Sequence, residues 1–163
     1  MLEELRKYIR ANMKSDRLFG AMKKSAMPIL EDCEMAMCCA APNINDFIDE
    51  NKDKNQFQKV LFKFIDDRNL KDSDVYNKVN IDRRLFSKIR SDIDYHPSKE
   101  TVILLGLSLE LNEVEFEELL ESAAYSLPKN NTYDLIIRFC FINKIYDLFQ
   151  VNEFLDEYNL KAL

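Results

Sequence analysis

A run of basic residues between positions 83 and 90 has the composition and spacing of an anion-binding helix face. No acidic residue interrupts the series Arg83, Arg84, Lys88 and Arg90. Because residues three and four apart lie on one side of a helix, Arg84, Ser87 and Lys88 share a face. The apolar side of the same helix is formed by Leu85, Phe86 and Ile89. We therefore predict one buried face and one basic face that offers donors to phosphate or carboxylate groups.

The residues before this helix predict a shorter helix and a tight turn. Asp72 or Ser73 can begin the shorter helix. Its inward face is formed by Val75 and Val79. Asn80 is expected at the turn, because asparagine adopts positive φ more readily than most residues. Ile81 is expected to fill the turn, and Asp82 to cap the basic helix.

Residues 57–127 resemble the lambda-repressor-like (Xre) helix-turn-helix domain of bacterial and phage regulators. The residues at that family's core positions are Val75, Val79, Ile81, Phe86 and Ile89. Asn80 stands where the family has a turn glycine, and Gly106 stands where its fourth helix carries a small residue. Two positions depart from the pattern. Tyr76 replaces an alanine that faces the second helix, and Asp72 replaces a glutamine that often touches DNA phosphate.

This resemblance implies that the basic helix enters the major groove of DNA. The residues expected at base edges are Arg83, Arg84, Ser87 and Lys88. Arg90 and Lys99 are expected at phosphates. A simpler interpretation is a solvated helix face whose cations pair with nearby acids such as Asp92 and Asp94. Residues 57–163 also resemble a module of uncharacterised bacterial proteins that is sometimes attached to ADP-ribose-binding macro domains, and this second resemblance implies no settled function.

Enzyme and metal chemistry find little support in the sequence. With only two glycines in the chain, neither a phosphate-cradling loop nor a dinucleotide fingerprint is present. His96, the single histidine, lies in a predicted loop with no cysteine close in sequence. The acidic stretch 113–121 is typical of a solvated helix face. Cys33, Cys38 and Cys39 lack the spacing of a zinc knuckle. We predict no catalytic residue, no metal and no cofactor.

The composition favours a helical protein of the cytoplasm. The chain has 163 residues, 47% of them hydrophobic, with only two glycines and four prolines. No apolar run approaches the roughly 20 residues that cross a bilayer, and the charged N-terminus does not resemble a signal peptide. The four cysteines do not form a disulfide framework, which favours a reducing compartment. The net charge is −6, so contact with nucleic acid would need a local basic patch.

Helical spacing of apolar residues predicts an all-α fold without a sheet. The predicted helices are 2–14, 56–68, 72–79, 83–91, 99–110, 113–125, 132–143 and 147–158. Residues 1–52 are predicted to form an N-terminal helix and a loosely structured arm at 15–45, with a short helix near 45–51. Residues 53–128 are predicted to form the five-helix lambda-repressor-like core. Residues 129–163 are predicted to form a C-terminal helical pair that packs on the core or forms an interface.

Two functions are compatible with these features. The first is a sequence-specific DNA-binding transcriptional regulator of bacterial or mobile-element origin, with a homodimer formed through the C-terminal helices. The second is a protein-interaction module, an adaptor or inhibitor in phage conflict, that keeps the helix-turn-helix fold without binding DNA. Its partner would bind the basic helix, the acidic helices or the arm at 15–45. No interaction with a membrane is predicted for either.

Overall fold

A computed structural model describes residues 1–19 and 56–163, with side chains for 1–12 and 56–163. Within these ranges the chain forms eight helices and no strand, which confirms the all-α prediction. The helices are α1 (Leu2–Phe19), α2 (Gln56–Asp67), α3 (Asp72–Lys78), α4 (Arg83–Ser91), α5 (Lys99–Ser108), α6 (Glu113–Ser122), α7 (Thr132–Ile142) and α8 (Leu148–Glu157). None of these helices is long and apolar enough to cross a bilayer.

The first helix is longer than predicted. It was expected to end at residue 14 and continues to Phe19, so residues 15–19 of the segment predicted to be irregular are helical. The sequence gives a reason, since no glycine or proline occurs before Gly20. The rest of the predicted arm, the short helix near 45–51 and the three clustered cysteines lie outside the described residues.

Five of the six helices from α3 to α8 begin with a side-chain cap, among them the Asp82 cap that the sequence predicted. The Asp82 carboxylate accepts a hydrogen bond from the Arg84 amide at 2.6 Å, and the Ser98 hydroxyl accepts one from the Thr101 amide. Asn112 forms a reciprocal capping box at the start of α6. The exception is α3, where Lys71 precedes the helix and its side chain makes no capping bond.

Six of the eight helices in the described residues are followed by a left-handed residue that is not glycine. These residues are Asn69, Asn80, Glu110, Ala124, Lys144 and Asn159, with φ between 51° and 57°. In each case the next residue donates its backbone N–H to a carbonyl five residues earlier, as in the 2.9 Å bond from Ile81 to Tyr76. This is the Schellman arrangement. Because these residues lie outside the helices, most predicted helices were one to three residues too long.

The buried residues form one hydrophobic core that includes all eight helices. Helix α2 packs on α6, α3 on α5, α1 on α7, and α7 on both α6 and α8. The rings of Phe116 on α6 and Phe141 on α7 are stacked 3.6 Å apart, and both lie against Gly106 of α5. Phe86 is buried in this core, as predicted, and so is Leu105. The core is therefore continuous across residue 128, where the sequence suggested a boundary.

Candidate nucleic-acid interface

The turn between α3 and α4 fixes the start of the basic helix. Asn80 adopts φ 55°, which confirms the expectation that it occupies the turn. Ile81 is buried at 7% exposure and fills the turn from inside. Together with the Asp82 cap, these contacts leave the first turn of α4 little freedom to move relative to α3.

Aromatic side chains hold the inward face of α4. Phe86 is 2% exposed, and its ring lies 5.7 Å from that of Tyr76 and 6.4 Å from that of Phe62. The lambda-repressor-like family, which the sequence resembles, has an alanine at the position of Tyr76. In this chain the Tyr76 ring fills space beside Phe86. Ile89 is also buried, so one face of α4 belongs to the core.

The end of α4 is held by Gln58 of α2. The Gln58 side-chain amide donates hydrogen bonds to the carbonyl of Ile89 at 2.7 Å and to that of Asp92 at 2.8 Å. These bonds satisfy carbonyl groups that a helix terminus leaves unpaired. Gln58 is not among the residues predicted from the sequence, and no sequence signal marks it, because the bonds join residues more than 30 positions apart.

Four of the six predicted contact residues form an open basic face on α4. The residues are Arg83, Arg84, Ser87 and Lys88, and all four are exposed. Within the described part of the chain, the guanidinium groups of Arg83 and Arg84 have no ion-pair partner. The ammonium group of Lys88 lies over the ring of Tyr95, 4.7 Å from its centroid. We refer to these four residues as the basic face.

Arg90 is exposed, but its guanidinium group already has a carboxylate partner. Its guanidinium group forms an ion pair with the Asp72 carboxylate at 2.9 Å. The same group lies over the ring of Phe62, 4.6 Å from the centroid. In the described residues this is the only ion pair formed by a cation of α4, and it involves Asp72 rather than Asp92 or Asp94.

Lys99 is not part of the basic face. Its ammonium group lies 2.6 Å from the carboxylate of Asp134, which is 2% exposed at the start of α7. Removing the partner of a buried carboxylate strongly destabilises a folded protein. The Lys99 ammonium group is therefore needed at Asp134. We therefore leave Lys99 out of the candidate interface, although the sequence placed it at a phosphate.

Three of the five acidic residues of α6 form ion pairs with arginines of neighbouring helices. Arg138 of α7 pairs with Glu113 at 2.9 Å and with Glu117 at 2.7 Å. Arg68 of α2 pairs with Glu115 at 2.7 Å. These pairs join α6 to its neighbours, and they reduce the negative field that the acidic composition suggested.

Comparison with protein-family models, with curated proteins and with solved structures gives no match for this chain. Any function assigned to α4 therefore rests on its own geometry.

The other reactive side chains in the described residues do not form a site. Cys140 is fully buried, and its burial raises the pKa of the thiol to about 12, which keeps it protonated and unreactive. His96 lies in the loop before α5, where its ring packs edge-on against Tyr125 at 5.2 Å. Within the described ranges, no three His, Cys, Asp or Glu side chains converge to hold a metal ion.

Proposed function

We propose that this chain is a DNA-binding transcriptional regulator of bacterial or mobile-element origin, and that α4 enters the major groove. The observation that carries the proposal is the basic face, an exposed set of donors on a helix whose opposite side is buried. A guanidinium group without an internal partner can donate two hydrogen bonds to guanine, which is the commonest specific base contact. Arg83 and Arg84 meet that description among the described residues.

The packing around α4 also supports the proposal. A helix can read a groove only if it projects from the body of the protein in a fixed orientation. The Asn80 turn, the Phe86 anchor and the Gln58 bonds fix α4 at its start, its middle and its end. The contacts of α2 with α6 and of α3 with α5 are compatible with the five-helix arrangement that the resemblance implies.

The first prediction tests α4 as the DNA-reading helix. Binding of labelled duplex is measured by fluorescence anisotropy over a range of salt concentrations, first on random sequence and then on sequences enriched by selection. Arg84→Ala should lose about 1–3 kcal/mol of discrimination between bases, because a base contact is removed. Lys88→Ala should also lower affinity, and a loss that is even on all sequences with a salt slope reduced by about one would place its ammonium group at a phosphate rather than at the base edge that the resemblance implies.

Lys129→Ala is the matched control for this prediction. It removes the same charge from the exposed loop between α6 and α7, outside the basic face. It should change binding little, and neither α4 variant should change the melting temperature by more than a few degrees. If the wild-type chain binds no duplex even at low salt, where electrostatic attraction is strongest, the proposal is wrong.

We also propose that the regulator acts as a homodimer, because a monomer with so few phosphate contacts would bind weakly at physiological salt. Within the C-terminal pair, α7 is largely occupied by the core. Helix α8 keeps Phe149 at 71% exposure, so α8 is the better surface for a second copy.

The second prediction tests this dimer. Phe149→Ser should shift the mass measured by light scattering from dimer to monomer, and it should leave the melting temperature nearly unchanged because the side chain is exposed. Val114→Ser is the control, since Val114 is 74% exposed on α6. A wild-type chain that is monomeric at micromolar concentration would contradict the dimer and leave the DNA proposal standing.

A second candidate function is the protein-interaction module without DNA binding. The observation that favours it is Asp72, a carboxylate beside the basic face in a position where it would repel phosphate. In that case the basic face would bind an acidic surface of another protein. Charge reversal at Arg84 and Lys88 would then abolish a stoichiometric protein complex, while the wild-type chain would show no salt-dependent binding of duplex.

A further inference from the structure

Asp72 and Arg90, which form an ion pair, both line a cleft between α3 and α4. The cleft has a volume of about 560 Å³. Its lining includes Lys71, Ser73, Arg83 and Ser87 as donors, with Asp66 as a second carboxylate. The cleft thus adjoins the basic face, and Arg90 is the one cation of its lining that is paired with a carboxylate in the described residues.

The geometry places Arg90 where a phosphate oxygen and Asp72 would compete for it. The side chains of Asp72 and Arg90 are 35% and 55% exposed, so water and ions reach the pair. Exposed pairs of this kind contribute little to stability and can exchange partners. The Arg90 guanidinium group lies over the ring of Phe62, and this contact does not involve the Asp72 carboxylate.

From these observations we propose that Asp72 is an internal counter-ion that keeps Arg90 from the DNA backbone. The inference rests on the proposed function and adds regulation to it. The chain binds DNA through the basic face alone while the pair is intact. Neutralising Asp72 recruits Arg90 as an additional phosphate contact, which raises affinity without changing the bases that are read.

The salt dependence of binding distinguishes this mechanism from simple repulsion. A cation that contacts phosphate contributes about 0.9 to the slope of log affinity against log salt concentration. When Arg90 is paired with Asp72, this contribution is missing. A phosphate contact by Arg90 would release one cation from the DNA, but the Asp72 carboxylate that it leaves would take up one cation in exchange. Asp72→Asn should therefore steepen the slope by about 0.9 and raise affinity about threefold to fivefold, as expected for one surface ion pair.

The test is a double-mutant cycle on the full chain with labelled duplex DNA. Arg90→Gln should lower affinity less than about twofold in the wild-type background and about threefold to fivefold in the Asp72→Asn background, together with the change in slope. Asp74→Asn is the control, because Asp74 lies on the same helix but does not line the cleft. It should leave affinity and slope nearly unchanged.

Two results would overturn the inference while the proposed function stands. An equal effect of Arg90→Gln in both backgrounds would show that Asp72 does not restrain Arg90. An affinity gain from Asp74→Asn as large as that from Asp72→Asn would show general repulsion only. If neither the wild type nor Asp72→Asn binds duplex at low salt, the proposed function fails and the inference fails with it. Binding by Asp72→Asn alone would contradict the proposed function, because the basic face is expected to bind DNA while the pair is intact.

Discussion

At the scale of single residues, the helix ends in the described part of the chain differ from most helix ends, where the left-handed residue is usually glycine. None of the six left-handed positions here is glycine. A residue with a β-carbon is disfavoured in this conformation by roughly 1–2 kcal/mol relative to the right-handed region. Asparagine accepts it with least strain, and three of the six positions are asparagine. Ala124, Glu110 and Lys144 lack that advantage, so these helix ends are less stable than the fold permits.

The third prediction follows from Ala124, which is exposed and has φ 57°. Ala124→Gly should raise the free energy of unfolding by about 0.5–1 kcal/mol, because relief of the left-handed strain exceeds the entropy that glycine adds to the unfolded chain. Urea denaturation followed by circular dichroism measures the change. Its neighbour Ala123 has φ −94° and is buried, so Ala123→Gly should instead destabilise the chain. Equal effects at the two positions would contradict the explanation.

At the scale of helices, α5 packs closely against α6 and α7 at Gly106. A β-carbon at this position would lie 2.7 Å from Phe116 Cδ2 and 3.1 Å from Phe141 Cζ. The two stacked rings restrict each other, so neither can move aside without disturbing the other. Gly106 therefore permits three helices to approach each other, which agrees with the small residue expected there from the sequence.

The fourth prediction is that Gly106→Ala destabilises the chain by about 1–2 kcal/mol. Overpacking of this kind typically costs about 1–3 kcal/mol, and the better helix propensity of alanine offsets up to about 1 kcal/mol. The matched experiment repeats the substitution in a Phe116→Leu background, where the overlap with the ring is removed. There Gly106→Ala should be neutral or stabilising. The same loss in both backgrounds would show that Phe116 is not the cause.

At the scale of the whole molecule, the C-terminal helices are part of the folding unit. Helix α7 contributes side chains that are less than 5% exposed to the core. These residues are Leu135, Ile136, Ile137, Phe139, Cys140 and Phe141. Burying one large apolar side chain contributes roughly 1.5–3 kcal/mol, and a small domain has only about 5–15 kcal/mol of net stability. The other helices therefore depend on α7.

The fifth prediction is that a chain ending at Pro128 does not fold cooperatively. Removing α7 and α8 would expose Phe116, and it would leave α1 without α7, the helix on which α1 packs. Calorimetry should show one transition for the full chain and no sharp transition for the shortened one. A well-folded shortened chain, with dispersed amide resonances, would mean that residues 53–128 form a domain of their own.

The sequence alone determined the helices and most of their first residues, because these depend on neighbouring residues. The apolar spacing, the caps at Asp82, Ser98 and Asn112, and the turn at Asn80 are all interactions within a few positions of the chain. The same local pattern indicated which side of α4 is buried and which side is basic. Four of the six predicted contact residues could therefore be placed on one exposed face before any packing was known.

The tertiary structure decided which charged and polar groups find partners. The bonds of Arg90 to Asp72, of Lys99 to Asp134 and of Gln58 to Ile89 join residues 18, 35 and 31 positions apart. A pairing over such distances depends on how the helices pack, and no spacing rule contains it. For this reason the sequence assigned the same role to Arg90 and Lys99, whereas in the folded chain Arg90 pairs with the partly exposed Asp72 side chain and Lys99 pairs with the buried carboxylate of Asp134.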